Sequence, residues 1–133
     1  MESTEITIRT GNALTTDVTG EVERFCNGRG DGLVNVFVPH ATAGVALMET
    51  GSGGEHDLAD AVERLLPRAD VYRHRHGSTA HGRDHVLPVF VAPSLCVPVL
   101  DGRPALGTWQ SVVVVDSNAD NPVRHVRLSF LSA

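Results

Sequence analysis

The sequence has only two cysteines, no excess of positive charge and no long apolar run, and each shortage removes a class of function. Cys26 and Cys96 lie far apart, with no CxxC or metal-ligand spacing, so neither a disulfide framework nor a thiolate metal site is predicted. Both sit in apolar surroundings and read as buried free thiols, which suits a reducing, cytoplasmic location. No apolar run approaches the roughly 20 residues that span a bilayer. Met1-Glu2-Ser3-Thr4-Glu5 is acidic and leads into a strand pattern, so no signal peptide is expected. A net charge of −5 argues against nonspecific binding to nucleic acid or anionic membrane, both of which need a basic surface. It leaves room for a small phosphorylated molecule, which a few arginines and backbone amides can hold.

What remains is an ordinary globular composition: 133 residues, 41% hydrophobic and 20% charged. That length suits a single domain over 1–133 with its own core, and no repeat, linker or low-complexity tract divides it. Ile6 and Ile8 alternate with polar residues and open the chain as a half-buried strand. Val18, Val22 and Phe25 share one face of a short helix that Thr16 or Asp17 caps and Asn27-Gly28-Arg29-Gly30 ends. Gly32 to Val38 is the strongest strand of the first half. Val45 to Glu49 is expected beside it, joined through the turn at His40.

Gly51-Ser52-Gly53-Gly54 breaks the chain. Glu55 to Leu66 then forms the long helix, with Leu58, Val62, Leu65 and Leu66 on one stripe, acids in its first turns and Pro67 after it. Tyr72 to His85 has no clean period, and so long an irregular stretch in a small domain points to function. Val86 to Ala92, interrupted by Pro88, reads as an edge strand or irregular piece. Leu95 to Leu100, Gly107 to Asp116 and Arg124 to Phe130 are three further strands between turn signals. The continuous run Val112-Val113-Val114-Val115 predicts a central strand covered on both faces. The fold class is therefore α+β, mostly antiparallel sheet with one long helix and a short second one.

The chemistry is concentrated in histidine. Four of the seven histidines, His74, His76, His81 and His85, fall within one segment, and His40 sits where a strand ends in a small-residue turn. Neutral imidazoles are common ligands for Zn²⁺ and related ions and move protons near neutral pH. His74 and His76 fall on one face of an extended segment, and His81 with His85 suits a helical turn. Asp84 and Glu49 are available as supporting carboxylates. A polar surface loop would carry the same composition, so spacing alone leaves both readings open. Asp101-Gly102-Arg103 begins a second group that ends in Thr108-Trp109-Gln110. There Arg103 and Thr108 suit an anion and Trp109, the single tryptophan, a flat wall for a heterocycle, unless Trp109 is core.

Three segments in order, His40-Ala41-Thr42-Ala43-Gly44 through Glu49, Tyr72-Arg73-His74 through Asp84-His85, and Gly102-Arg103 through Leu106-Gly107-Thr108-Trp109-Gln110, resemble the YjbQ family (UPF0047). Its members are described as secondary thiamine-phosphate synthase enzymes, and the likeness runs from about Ile6 to the C-terminus. The resemblance implies a homotrimer with sites near subunit boundaries, and a pocket in which His40, His74 and His85 hold a divalent metal, Zn²⁺ or Mg²⁺. It implies catalytic roles for His40, Glu49 and His85, and substrate-binding roles for Thr42, Arg103, Thr108, Trp109 and Gln110. The implied reaction joins a pyrimidine pyrophosphate to a thiazole phosphate and gives thiamine phosphate. The same residues suit metal-dependent hydrolysis of a small phosphorylated compound with Glu49 as base, or a non-catalytic trimeric binding protein. His76 and His81 fall outside the strong family positions, and His76 stands where relatives carry glutamate.

Overall fold

The computed structural model describes residues 1–69, 72–78 and 81–133. Its strands are β1 (Glu2–Arg9), β2 (Thr15–Asp17), β3 (Gly32–Phe37), β4 (Ala43–Met48), β5 (Ser94–Leu100), β6 (Arg103–Pro104), β7 (Ser111–Asp116) and β8 (Val123–Ser132). Its helices are α1 (Thr19–Cys26) and α2 (Gly54–Leu65), with single helical turns α3 (His81–Asp84) and α4 (Leu87–Phe90). The strands form a five-stranded sheet in the order β1-β8-β3-β5-β6 and a three-stranded sheet in the order β2-β7-β4, with antiparallel pairing throughout.

The layers follow from strand periodicity. On β3, Val34 and Val36 point inward, and Val97 and Val99 of β5 and Val126, Leu128 and Phe130 of β8 join them. Against this face pack Val112 and Val114 of β7, Val45 of β4, and Val18, Val22 and Cys26 at α1. The alternate residues Val113 and Val115 face the other way, onto Val62 and Leu66 of the α2 segment and Leu87 of α4. All four valines of Val112–Val115 are fully buried, as a central strand covered on both faces requires. Each contributes about 1.5–3 kcal/mol of burial. The order is large sheet, small sheet, then α2 and α4, with α1 packed into the core between the sheets. The outer face of the large sheet carries the exposed Leu33, Leu100 and Leu131. Among the described residues no helix is long and apolar enough to cross a membrane.

Four local expectations change. β4 pairs with β7, not with β3. The Val91–Pro93 segment lies between them: Val38 N–H donates to the Pro93 carbonyl at 2.8 Å and Val45 N–H to that of Ala92 at 2.9 Å. Gly44 makes this approach possible, because a Cβ there would fall 1.9 Å from the Val91 carbonyl oxygen. The Val86–Ala92 piece is not a strand, since Pro88 sits in the first turn of α4, where its missing N–H costs nothing. Gly107 to Gln110 form a turn before β7, closed by Gln110 N–H to the Gly107 carbonyl at 3.0 Å. Cys26 is buried, but Cys96 is exposed, because it occupies an outward position of β5.

Candidate functional site

The irregular histidine segment folds back on α3 because two glycines let it. At Gly82, a Cβ would lie 2.5 Å from the Tyr72 Cβ and 3.1 Å from the His74 carbonyl oxygen. At Gly77, whose φ is +81°, a Cβ would lie 2.7 Å from the His81 ring. Tyr72 is also tied down by its hydroxyl, which donates to the Pro67 carbonyl at 3.0 Å. Positions 79 and 80 of this segment lie outside the described residues.

The result is an imidazole cluster. One nitrogen from each of His74, His76, His81 and His85 lies within 4.8 Å of all the others. His81 and His85, one helical turn apart, bring their Nε2 atoms to 2.9 Å. The His74 ring centroid is 4.2 Å from that of His85 and 4.0 Å from that of His76. His81 is buried, and its Nδ1 has no hydrogen bond of good geometry but faces two carboxylates, Asp120 Oδ2 at 3.3 Å and Asp84 Oδ2 at 3.9 Å. A carboxylate on the far nitrogen favours a proton there and leaves Nε2 as a lone-pair donor to the cluster. His74 and His85 are held below the usual imidazole value, first by desolvation and then by the charges of the neighbouring histidines. Neutral rings are the ligand form.

Behind the cluster lies a buried polar frame. Arg83 Nη1 donates to Glu63 Oε2 at 2.6 Å and to the Leu66 carbonyl at 2.9 Å, which fixes α3 against the end of α2. The Ser117 hydroxyl donates to Asp84 Oδ1 at 2.6 Å, and burial raises the Asp84 carboxyl above its usual range. Asp116 accepts from Arg124 Nε at 2.5 Å in an ion pair that is almost wholly buried. Arg124 Nη2 also donates to Thr42 Oγ1 at 3.2 Å. A cavity of about 530 Å³ shares Arg83 and Ser117 with this frame, and its described walls include Asp60, Glu63 and Arg68 but no imidazole.

His40 stands beside this frame rather than in the cluster. Its Nε2 accepts the His125 backbone N–H at 2.9 Å, so that nitrogen carries no proton. Desolvation and the charges of Arg124 and His125 hold its pKa down. The remaining residues gather elsewhere. Thr50 Oγ1 lies 3.3 Å from Ser111 Oγ, which places the neighbouring Glu49 at the start of β7 with Thr108, Trp109 and Gln110. The cluster docks at the other end, at Ser117, about 20 Å of strand away. Arg103 pairs with Leu100 at one end of β5, whereas His40 follows Phe37, which pairs with Ser94 at the other, about 20 Å along the strand. Arg103, Thr108, Trp109 and Gln110 are exposed, Trp109 by 73%.

The run Asp116 to Pro122 reads in sequence as a turn signal and Arg124 as the start of a strand, so none of Asp116, Asp120 and Arg124 stands out as a site residue. The spacing of Asp116, Asn118 and Asp120 was the available signal. Asp116 Oδ1 accepts the Asn118 N–H at 2.9 Å and Asn118 Oδ1 the Asp120 N–H at 2.8 Å, and these successive side-chain turns aim Asp120 at His81.

The profile of one protein family, described as UPF0047 protein YjbQ-like, matches residues 4–133. UPF0047 protein Rv2556c of Mycobacterium tuberculosis is 58% identical over 131 residues, 98% of each chain. A UPF0047 protein of Archaeoglobus fulgidus is 35% identical, covering 84% of this chain and 88% of that one. Among solved structures, hypothetical protein APE1520 of Aeropyrum pernix matches with a TM-score of 0.89 at 31% identity over the whole of both chains. A YbjQ-like protein of unknown function from Sulfolobus solfataricus matches with a TM-score of 0.91 at 22% identity, covering 99% of this chain and 97% of that one, a likeness of fold.

Proposed function

The chain belongs to the UPF0047 YjbQ-like family, and on that premise we propose that it is a metal-dependent enzyme acting on a small phosphorylated compound. The observation that carries the reading is the convergence of four imidazole nitrogens within 4.8 Å, with a buried member backed by carboxylates. An all-nitrogen donor set suits Zn²⁺ and its transition-metal neighbours and fits Mg²⁺ poorly, since Mg²⁺ takes oxygen ligands. A divalent ion held there would act as a Lewis acid on a phosphoryl oxygen and ease ionisation of a water. In the hydrolysis, water oxygen would bond to phosphorus as the ester P–O bond breaks. Asp84 or Asp120 would take the water proton, and the departing oxygen would take up a proton and leave as the alcohol.

The chain's own residues supply position and charge. Asp120 and Asp84 orient His81, Arg83 holds α3 in place, and the Arg124–Asp116 pair fixes the Thr42 turn beside neutral His40. Glu49, expected as the base, stands at the far end of β4 from this frame, so the acids beside the imidazoles of one subunit are Asp84 and Asp120.

A second reading is thiamine phosphate formation in a homotrimer. It is favoured by the exposure of Trp109, whose indole offers a large apolar surface to a partner, and by the exposed Leu33, Leu100 and Leu131 on the outer face of the large sheet. In such an assembly a neighbouring subunit would bring its Arg103 and Trp109 to the imidazoles. The thiazole nitrogen would bond to the pyrimidine methylene carbon as the bond to pyrophosphate breaks.

The test is purification, metal analysis and sizing, followed by two assays with and without chelator. One follows phosphate release from small phosphorylated compounds, the other thiamine phosphate formation. Chelator-sensitive phosphate release supports the first reading. Thiamine phosphate formation lost in Trp109→Ala supports the second. A trimer that binds metal and turns over neither leaves a binding protein.

A further inference from the structure

The metal reading leaves a coordination question, because four imidazoles close a four-coordinate shell whereas metal catalysis needs an open place. We infer that His76 is a displaceable fourth ligand, which closes the shell in the resting protein and gives way to a phosphate-type anion. The inference rests on the metal site proposed above and concerns how that site opens.

The four histidines are anchored unequally. His81 is buried on α3, with Asp120 and Asp84 facing its outer nitrogen. His85 is half-buried one turn later, 2.9 Å from His81 between Nε2 atoms. His74 follows Tyr72, whose hydroxyl is bonded to Pro67, and its carbonyl rests against Gly82. His76 is exposed, as His74 is, and among the described residues only ring contacts hold its side chain, without the tie through Tyr72 that His74 has. The closest of these is to His74 at 4.0 Å; His81 and His85 of the anchored pair stand at 5.0 and 5.6 Å.

Movement turns on the residues that follow His76. Gly77 follows with a positive φ, and Ser78 is held by its N–H to Asp120 Oδ2 at 3.2 Å. His76 can therefore swing outward while Ser78 stays on the carboxylate that orients His81. Losing one neutral imidazole from an exposed position buries no charge and breaks no hydrogen bond, so an anion with a stronger bond to the ion can take its place. The three that stay, His74, His81 and His85, leave one position free, the arrangement of catalytic rather than structural sites.

Cobalt spectroscopy of the full chain tests this. Co²⁺ in a closed nitrogen shell gives intense visible bands, and a change of ligand or coordination number moves them. The wild-type protein loaded with Co²⁺ is expected to show those bands and to shift them when inorganic phosphate is added. His76→Ala is expected to bind Co²⁺ with bands already shifted and to respond at lower phosphate concentration. His76→Gln serves as a second variant, with circular dichroism to check folding, and His56→Ala on α2 as an unchanged control. Wild-type bands that ignore saturating phosphate, or His76 variants with wild-type bands, overturn the inference and leave the metal site standing. Failure of the wild-type protein to bind Co²⁺ overturns both.

Discussion

The two ends of β7 make the instructive comparison. At the Asp116 end His81, Asp84, Asp116 and Arg124 are buried, with His74, His76 and Asp120 at the surface beside them. The side chains are tied to one another, through Ser117 to Asp84, Asp120 to His81, and Arg124 to Thr42. At the Ser111 end, Thr108, Trp109 and Gln110 stand in solvent on a turn, beside the exposed Glu49. The first end is preorganised within one subunit, because buried polar groups must find partners and those partners fix geometry. The second has no such constraint, since its residues are exposed and make only local bonds, such as that from the Gly107 N–H to Gln110 Oε1 at 2.8 Å. A family signature can therefore join residues that a single chain keeps a strand length apart.

The largest way to break the contrast is to remove one half of the buried ion pair. Arg124→Ala strands the Asp116 carboxylate and is expected to cost about 3–5 kcal/mol in urea unfolding. Arg103→Ala, at the exposed end, is expected to stay within about 0.5 kcal/mol. Equal costs would mean that the two ends are not different in kind. Next comes metal affinity. Asp120→Ala, which removes the carboxylate behind His81, is expected to weaken Zn²⁺ binding by about 10–100-fold in a chelator competition, and His81→Ala by more. His40→Ala, outside the cluster, is expected to leave it unchanged. A strong loss with His40→Ala would draw that ring into the shell and merge two groups that here stand apart.

Gly82→Ala sharpens the comparison through the backbone. Its Cβ has no room beside Tyr72, so the 72–74 segment must lift, with about 1–3 kcal/mol of destabilisation and weaker metal binding together. The smallest effect is on pH. His40 is held below its ordinary value of 6.5, so the unfolded chain binds a proton that the folded one refuses. The stability this contributes is complete above about pH 6.5 and is lost as pH falls through the folded value. His40→Gln should flatten that part of the stability–pH curve, and an unaltered curve would remove His40 from the account.

Much of this was legible in the chain. The alternation around Ile6 and Ile8, the run Val112–Val115 and the stripe of Leu58, Val62, Leu65 and Leu66 each gave the right element, because local periodicity records which face is buried, although Leu65, at the last turn of α2, is 56% exposed. The spacing of His81 and His85 suited a helical turn, and α3 begins there. Less legible was anything decided by a distant neighbour. Cys96 looked buried because its sequence neighbours are apolar, but it points to the outer side of its sheet. The neighbour of β4 was misjudged because Val91–Pro93, far along the chain, takes the place beside it.

By itself, the sequence determined the class of fold, the central strand and the presence of an imidazole-rich segment, since composition and period act over a few residues. Only the tertiary structure decided which imidazoles meet. Gly77 and Gly82 let the segment lie flat on α3, and the turns of Asp116 and Asn118 bring Asp120 to His81 from 39 positions along the chain. Such meetings depend on close approach between segments remote in sequence, and no periodicity within either segment encodes the other's place.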